Sequence, residues 1–336
     1  MEVSVIVITY NEEQNLGECL ESLVAQDYPP KDYEILIVDA DSTDRTHEIV
    51  KKFSKKYKNI SLHIEKKMGR PASRNRGIKE AKYGYVAFTD ADCVVPKNWL
   101  SELAKAFDKN RTENLAGVGG ANIAPKDAVD FMKAVYIAQN TFLGSLGSVQ
   151  SKVFDKVGKV RSIACANAFY DKRKLEEVDG FTKGIVGDDW ELNYKLRKKG
   201  YELLTVPKSY VWHKFRATPR VFLKHMYIYG RIRGDLFRRY PDTLFSVYSL
   251  SLIFTLIILA PLFYWVHPIF LLPLLYFPTI LAYSAYLAIK NKSAELWAKV
   301  FAVFVIQHFA YSFSVPIGMV VRFKVRKSIK EGLARE

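Results

Sequence analysis

Three short apolar runs each end in a cluster of polar residues, and this pattern constrains the fold most. Val3, Val5, Ile6, Val7 and Ile8 lead into Thr9-Tyr10-Asn11-Glu12. Ile35, Leu36, Ile37 and Val38 lead into Asp39-Ala40-Asp41-Ser42-Thr43-Asp44. Tyr85, Val86, Ala87 and Phe88 lead into Thr89-Asp90-Ala91-Asp92. Apolar runs without alternation are strands covered on both faces, as in a parallel sheet. Between them lie residues at helical spacing, first Leu16, Cys19, Leu20, Leu23 and Val24, then Ile49, Val50 and Phe53. Ser42 or Thr43 is placed to cap the second of these helices. A weaker strand at 61–64 and a helix opened by Pro71 complete the alternation. The order predicts an α/β fold, a Rossmann-like, mostly parallel sheet flanked by helices, with ligands at the carboxyl ends of the strands. Carboxylates that merely cap helices explain one such cluster more readily than three.

Asp90 and Asp92 stand one residue apart at a strand end, where two carboxylates repel unless a cation lies between them. A divalent cation, Mg2+ or Mn2+, shared with a phosphate suits such a pair, and a solvated Asp-rich turn is the alternative. No Gly-x-Gly-x-x-Gly follows the first strand and no Gly-x-x-x-x-Gly-Lys-Ser/Thr occurs, which argues against a dinucleotide oxidoreductase and a P-loop ATPase. The 50 Lys and Arg against 35 Asp and Glu give a net charge of +15, which favours anionic partners. Cys19, Cys93 and Cys165 form neither a zinc spacing nor a disulfide framework and fit a reducing compartment. The first residues already read as a strand, so no signal peptide is expected.

Taken in order, Val-Ile-Thr-Tyr-Asn-Glu, Val-Asp-Ala-Asp-Ser-Thr-Asp, Gly-Arg-Pro-Ala-Ser-Arg-Asn-Arg-Gly and Thr-Asp-Ala-Asp resemble the family 2 glycosyltransferases with the GT-A fold, over residues 3–215. The resemblance implies that Thr9, Tyr10, Asn11, Glu12, Asp39 and Asp41 surround the nucleoside of a donor. It implies that Asp90 and Asp92 hold its diphosphate through a metal. Arg74 suits the donor phosphates, and Arg70 either does the same or pairs with a carboxylate. Ala40 stands where the family often has a second acid, so the choice between UDP and GDP is open. Ala164-Cys165-Ala166-Asn167 and Val178-Asp179-Gly180-Phe181 resemble the acceptor side, which makes Asn167 an acceptor candidate, although Thr182 replaces the usual acid.

Gly187-Asp188-Asp189-Trp190-Glu191 resembles the motif that carries the family's general base, and Asp189 holds that position. An inverting transfer needs a carboxylate to take the acceptor proton. A helix start enriched in acids is the plainer reading of the same residues. With a phosphate acceptor Asp189 would position rather than deprotonate. Asp188 and His213 are assigned to the acceptor or phosphate, and His213 also to the metal.

From Lys208 to Arg239 there are nine Lys and Arg against one acid, Asp235, with aromatics interleaved. This reads as a basic amphipathic helix at a membrane surface, with Arg231 and Arg233 placed for a lipid phosphate. Single-stranded nucleic acid is the competing partner for such a stretch. The apolar runs 246–266, 268–289 and 298–321 decide for the membrane, and three spans are expected. The positive-inside rule puts the catalytic region in the cytoplasm, but three spans then place the basic tail outside, so either the rule fails there or the third segment is re-entrant or interfacial. The expected organisation is a catalytic domain at 1–215, an interfacial segment at 216–245, transmembrane helices at 246–321 and a tail at 322–336.

The processive motif Gln-x-x-Arg-Trp is absent. The sequence therefore points to an inverting, metal-dependent glycosyltransferase, integral to the cell membrane. It would move one sugar from a UDP- or GDP-sugar to a polyprenyl or dolichyl (di)phosphate-linked saccharide on the cytoplasmic face. The alternatives are a polyprenyl-phosphate-sugar synthase and a non-catalytic, membrane-anchored module that binds anionic lipid.

Overall fold

The computed structural model describes residues 1–66, 69–146, 154–182, 188–214 and 218–321, the side chain of Asp188 excepted. The first elements are β1 (Val3–Thr9), α1 (Leu16–Val24), β2 (Tyr33–Asp39), α2 (Thr46–Lys56), β3 (Ile60–Ile64), α3 (Arg70–Glu80) and β4 (Tyr85–Asp90). There follow β5 (Cys93–Val94), α4 (Trp99–Lys109), β6 (Leu115–Ile123), α5 (Asp130–Gln139), α6 (Phe142–Ser145), β7 (Gly158–Lys159), β8 (Ala168–Asp171) and α7 (Lys172–Glu176). The last are α8 (Asp188–Lys198), β9 (Glu202–His213), α9 (Pro219–Arg239), α10 (Leu250–Leu259), α11 (Tyr276–Lys290) and α12 (Trp297–Val320). They form two compact units, one of Met1–Pro125 with Ser148–Lys214, the other of Lys126–Gly147 with Phe215–Glu336. Residues 126–147, expected within the catalytic domain, thus cluster with the C-terminal helices. The basic tail 322–336 lies outside the described residues.

The sheet of the first unit runs β3-β2-β1-β4-β8-β6-β9-β5, with β7 on β9. β3, β2, β1 and β4 are mutually parallel, as the strand–helix alternation predicts. β8 is antiparallel to both β4 and β6, so the sheet is mixed rather than mostly parallel. An antiparallel neighbour needs no crossover helix, and the chain enters β8 through a single 3-10 turn. Successive residues of each buried strand serve opposite faces. Val5, Val7, Ile35 and Ile37 pack with Leu16 and Leu20 of α1 and Trp99 and Leu103 of α4. Ile6, Leu36 and Phe88 pack with Ile78 of α3 and Leu192 and Leu196 of α8. Each such side chain, fully buried, contributes roughly 1.5–3 kcal/mol. That two-sided burial is why the runs lack alternation.

In the second unit α5, α9, α11 and α12 share an apolar core that includes Phe131, Phe222, Met226, Leu287, Val300 and Phe304. α9 and α12 touch through their backbones. A Cβ on Gly230 would lie 2.1 Å from Tyr311 O, one on Gly234 2.0 Å from Val315 O, and one on Gly318 2.0 Å from Arg231 O. Small residues four apart permit such an approach. Pro268–Lys290 and Ala294–Val320 are long and apolar enough, by length and composition, to cross a membrane; Val247–Phe263 is shorter. The first expected span departs from regular α-helix after Leu259, where Pro261 lies in a 3-10 turn.

Candidate active site

Register aligns the predicted site loops. Thr9 pairs with Asp39 and Ile8 with Asp90, so the carboxyl ends of β2, β1 and β4 stand side by side. The first two loops are then laced together. Asn11 N donates to Ser42 Oγ at 2.8 Å, and Thr43 N donates to Asn11 Oδ1 at 2.9 Å. Glu12 N donates to Thr46 Oγ1 at 3.0 Å, and Glu13 N to Asp44 Oδ2 at 3.1 Å. Asn11 and Asp41 adopt left-handed backbone angles, φ 51° and 66°, which Asn and Asp tolerate better than most residues.

Asp39 differs from its expected role. It is fully buried, and its carboxylate accepts Ser42 N at 2.7 Å and Ser42 Oγ at 2.6 Å, with His47 Nε2 at 2.7 Å. Its oxygens shape the loop, while the exposed Asp41 stands at the turn. Ser42 is likewise taken up by Asn11 and Asp39 and does not cap α2. Asp44 does part of that work, accepting Thr46 N and, through its side-chain contact with Thr46, being held below the usual carboxylate range despite partial burial. Thr9 Oγ1 is buried without a hydrogen-bond partner among the described residues. Tyr10 and Glu12 are half-buried beside it in sequence.

Arg74 is 3 % exposed, and its Nη2 lies 3.2 Å from Asp90 Oδ1. Thus it reaches the Asp-x-Asp loop through Asp90, whereas Arg70 is exposed. The adjacent Asn75 fixes the Gly-Phe turn, donating to Phe181 O at 2.7 Å and accepting Phe181 N at 2.8 Å. Asp92 is buried, and its Oδ2 lies 3.1 Å from His213 Nε2. β5 brings this about by pairing Cys93 with His213 across the sheet. Asp92, Cys93 and His213 each offer a donor atom within 4.8 Å of the others. Burial pushes the Cys93 thiol well above its usual range, and the charges of Asp92 and Asp90 add to the shift. A carboxylate and an imidazole are the donors left for a divalent cation, and they fit Mn2+ or Mg2+.

Asp189 sits in the first turn of α8, where its Oδ1 accepts Trp190 N at 2.8 Å. Asn193, one turn on, donates to Asp189 O at 2.7 Å and accepts Tyr170 Oη at 2.9 Å. The side chain of Asp188 lies outside the described residues. Asn167 is not placed to receive an acceptor. Fully buried, it takes Trp99 Nε1 at 2.8 Å and Ser209 Oγ at 3.0 Å and donates to Ala121 O at 3.1 Å. Its amide ties four elements together. Arg231 and Arg233 belong to the second unit. Arg233 Nε donates to Tyr311 Oη at 3.1 Å, and its guanidinium lies 4.0 Å from the Tyr248 ring centroid.

With strand-end loops, an Asp-x-Asp, its histidine and its arginine in place, the comparison with known families is decisive. The model of glycosyl transferase family 2 matches residues 4–178. The chain belongs to that family. It is therefore a glycosyltransferase. A glycosyltransferase of Methanococcus voltae, the dolichyl N-acetyl-alpha-D-glucosaminyl phosphate 3-beta-D-2,3-diacetamido-2,3-dideoxy-beta-D-glucuronosyltransferase, is 28 % identical over 76 % of this chain and 80 % of its own length. Glycosyltransferase AglE of Haloferax volcanii is 42 % identical over 60 % of this chain, a match that spans 63 % of AglE. Among solved structures, mannosyltransferase PcManGT of Pyrobaculum calidifontis, in complex with GDP-Man and Mn2+, matches with a TM-score of 0.58 at 21 % identity, over 91 % of this chain and 86 % of that one. This likeness shows the GT-A fold. Sequence reading had missed Ser42 as a bridge, His47, Thr46, Asn75 and Asn193, since no periodicity marks a polar side chain whose partner is distant in sequence.

Proposed function

We propose that this family 2 enzyme is an inverting, metal-dependent glycosyltransferase that moves one sugar from a nucleotide-sugar to a polyprenyl- or dolichyl-(di)phosphate-linked saccharide at a membrane. The observation that carries it is the pair of contacts on the Asp-x-Asp loop, buried Asp92 with His213 and Asp90 with Arg74, at the carboxyl end of β4 beside that of β1. The Methanococcus voltae relative, whose name gives a dolichyl-phosphate-linked sugar, supports the lipid-linked acceptor. The laced loops hold the nucleoside, with Asp41 and Tyr10 toward the base and ribose. Arg74 and Asp90 orient the diphosphate end. Asp92 and His213 would hold a divalent cation, which supplies positive charge for the departing nucleoside diphosphate. The acceptor hydroxyl loses its proton to the Asp189 carboxylate as its oxygen bonds to C1 and the C1–phosphate oxygen bond breaks.

The test is nucleotide release by detergent-purified protein from a panel of UDP- and GDP-sugars. Acceptors are a polyprenyl phosphate or a polyprenyl-diphosphate-linked sugar, with Mn2+ or EDTA. Expected is release with one donor and one saccharide acceptor, abolished by EDTA and lowered about a hundredfold or more by Asp189→Asn. Turnover with polyprenyl phosphate that survives Asp189→Asn would replace this reading with the polyprenyl-phosphate-sugar synthase. Silence from folded protein across all combinations would remove the lipid-linked acceptor reading.

A further inference from the structure

Ala294–Val320 passes the test of length and hydropathy for a membrane span. Its neighbour argues against that assignment. α9 lies along α12 through its length. Phe222 and Met226 share a core with Val300, Val303 and Phe304. One turn on from Met226, Gly230 meets Tyr311 and Ser314, and one turn further Gly234 meets Val315 and Gly318. Successive positions of α9 meet successive positions of α12, so the two helices run side by side in the same direction.

α9 carries Arg220, Lys224, Arg231, Arg233, Asp235, Arg238 and Arg239, spread from its first turn to its last. An α12 that crossed a bilayer would take all of α9 into the hydrocarbon with it. Charged side chains at every depth are among the most costly groups to place there. The helices cannot slide apart to spare them, because the glycine contacts are backbone to backbone. The more exposed apolar surface lies on α10, on α11 and on the segment between them. Leu256 is 72 % exposed, Leu262 67 %, Trp265 73 % and Leu275 59 %. From Val300 to Gly318, by contrast, only Phe313 and Ile317 are exposed.

We propose that α12 does not cross the membrane. α9 and α12 lie together along its surface, with the exposed Arg220, Lys224 and Arg238 of α9 toward anionic head groups, and only the hairpin of 246–290 enters the bilayer. The loop before α12 and the basic tail at 322–336 are then on one face. This resolves the conflict that three spans create with the positive-inside rule. The proposal rests on the membrane reading above.

The test uses the full-length protein in sealed membrane vesicles of one orientation. Single cysteines are introduced by Glu295→Cys, before α12, and by Glu336→Cys, at the chain end. Each is probed with a membrane-impermeant maleimide before and after permeabilisation. The parent chain gives the background, since Cys19, Cys93 and Cys165 are all buried. Both positions are expected to label from the same face and to equal extent. Labelling of one before permeabilisation and of the other only after it would overturn the proposal and leave the membrane reading standing. Protein extracted from the vesicles by alkaline carbonate would overturn both.

Discussion

In the α/β unit Asp39 is fully buried, and its carboxylate is taken up by Ser42 and His47. In the helical unit Asp235 is 3 % exposed and is held by Arg238 and Arg239, three and four residues on along its own helix. Asp39 sits at the centre of a lattice that joins segments more than thirty residues apart through Asn11 and Ser42. Asp235 is neutralised within one turn and joins nothing distant through those bonds. A buried charge is tolerated in either way, but only the first fixes the shape of a loop that meets a ligand. The helical unit gets its precision from glycines instead, where backbone meets backbone.

The largest effect should come from the α/β unit. Asp92→Ala removes one of the two donors proposed for the divalent cation and is expected to lower kcat/KM by about a thousandfold, the order seen when a group facing transition-state charge is lost. Nucleotide release over a Mn2+ titration checks it. A loss below about tenfold would mean that charge at this site is carried elsewhere. Next comes the helical unit. Gly234→Ala puts a Cβ 2.0 Å from Val315 O, so α9 and α12 must part, at a cost of about 3 kcal/mol. Gly17→Ala in α1 has nothing within 4 Å of the new carbon and should stabilise by about 0.5–1 kcal/mol. Melting of both variants in detergent gives the contrast directly. Equal melting temperatures would show that the helix crossing does not limit stability.

The same contrast sets what the sequence made legible. The buried parallel strands at the site end were legible from Val3 to Ile8, Ile35 to Val38 and Tyr85 to Phe88, because burial on two faces leaves an apolar run that can be seen. Asp90 and Asp92 stand at the end of the third of those runs, whereas the contacts of Arg74 with Asp90 and of His213 with Asp92 come from distant elements. Asp39 and Asn167 were read as ligand groups and are loop and core ties, because a buried polar residue looks the same in sequence whichever partner satisfies it. The antiparallel β8 and the transfer of 126–147 to the helical unit depend on long-range pairing, which carries no local signal. α12 passes the length and composition test for a span, and a buried bundle helix with apolar residues all round would pass it too, so the sequence does not choose between them.

A milder change sharpens the loop side of the comparison. Asp39→Asn keeps the shape but loses the charge facing His47 and one acceptor for Ser42. About 2 kcal/mol of loop stability should go, within the range for hydrogen bonds to a charged group. The effect should appear as weaker nucleotide-sugar binding with kcat nearly unchanged. A fall in kcat with unaltered affinity would instead put Asp39 in contact with the reacting end of the donor.

The smallest effect concerns a third way of burying charge, in the α/β unit at the end of the sheet away from the site loops. Lys174 is 9 % exposed; its Nζ donates to Glu113 O and, at 2.8 Å, to Leu115 O, and lies 5.0 Å from the Tyr201 ring centroid. Unlike Asp235 it has carbonyls and a ring rather than a full counter-charge against it, and desolvation lowers its pKa below the ordinary lysine value of 10.5. Between the lowered value and 10.5 the unfolded chain binds a proton that the folded lysine has released. Stability therefore rises with pH through that window, and the cost of burial is felt in full below it. A neutral amine keeps two N–H groups, enough for both carbonyls, so deprotonation need not break the contacts. Lys174→Met should flatten the rise in melting temperature as the pH climbs toward 10.5. A slope unchanged in the variant would show that another group sets it and that the two carbonyls and the ring offset the burial of Lys174.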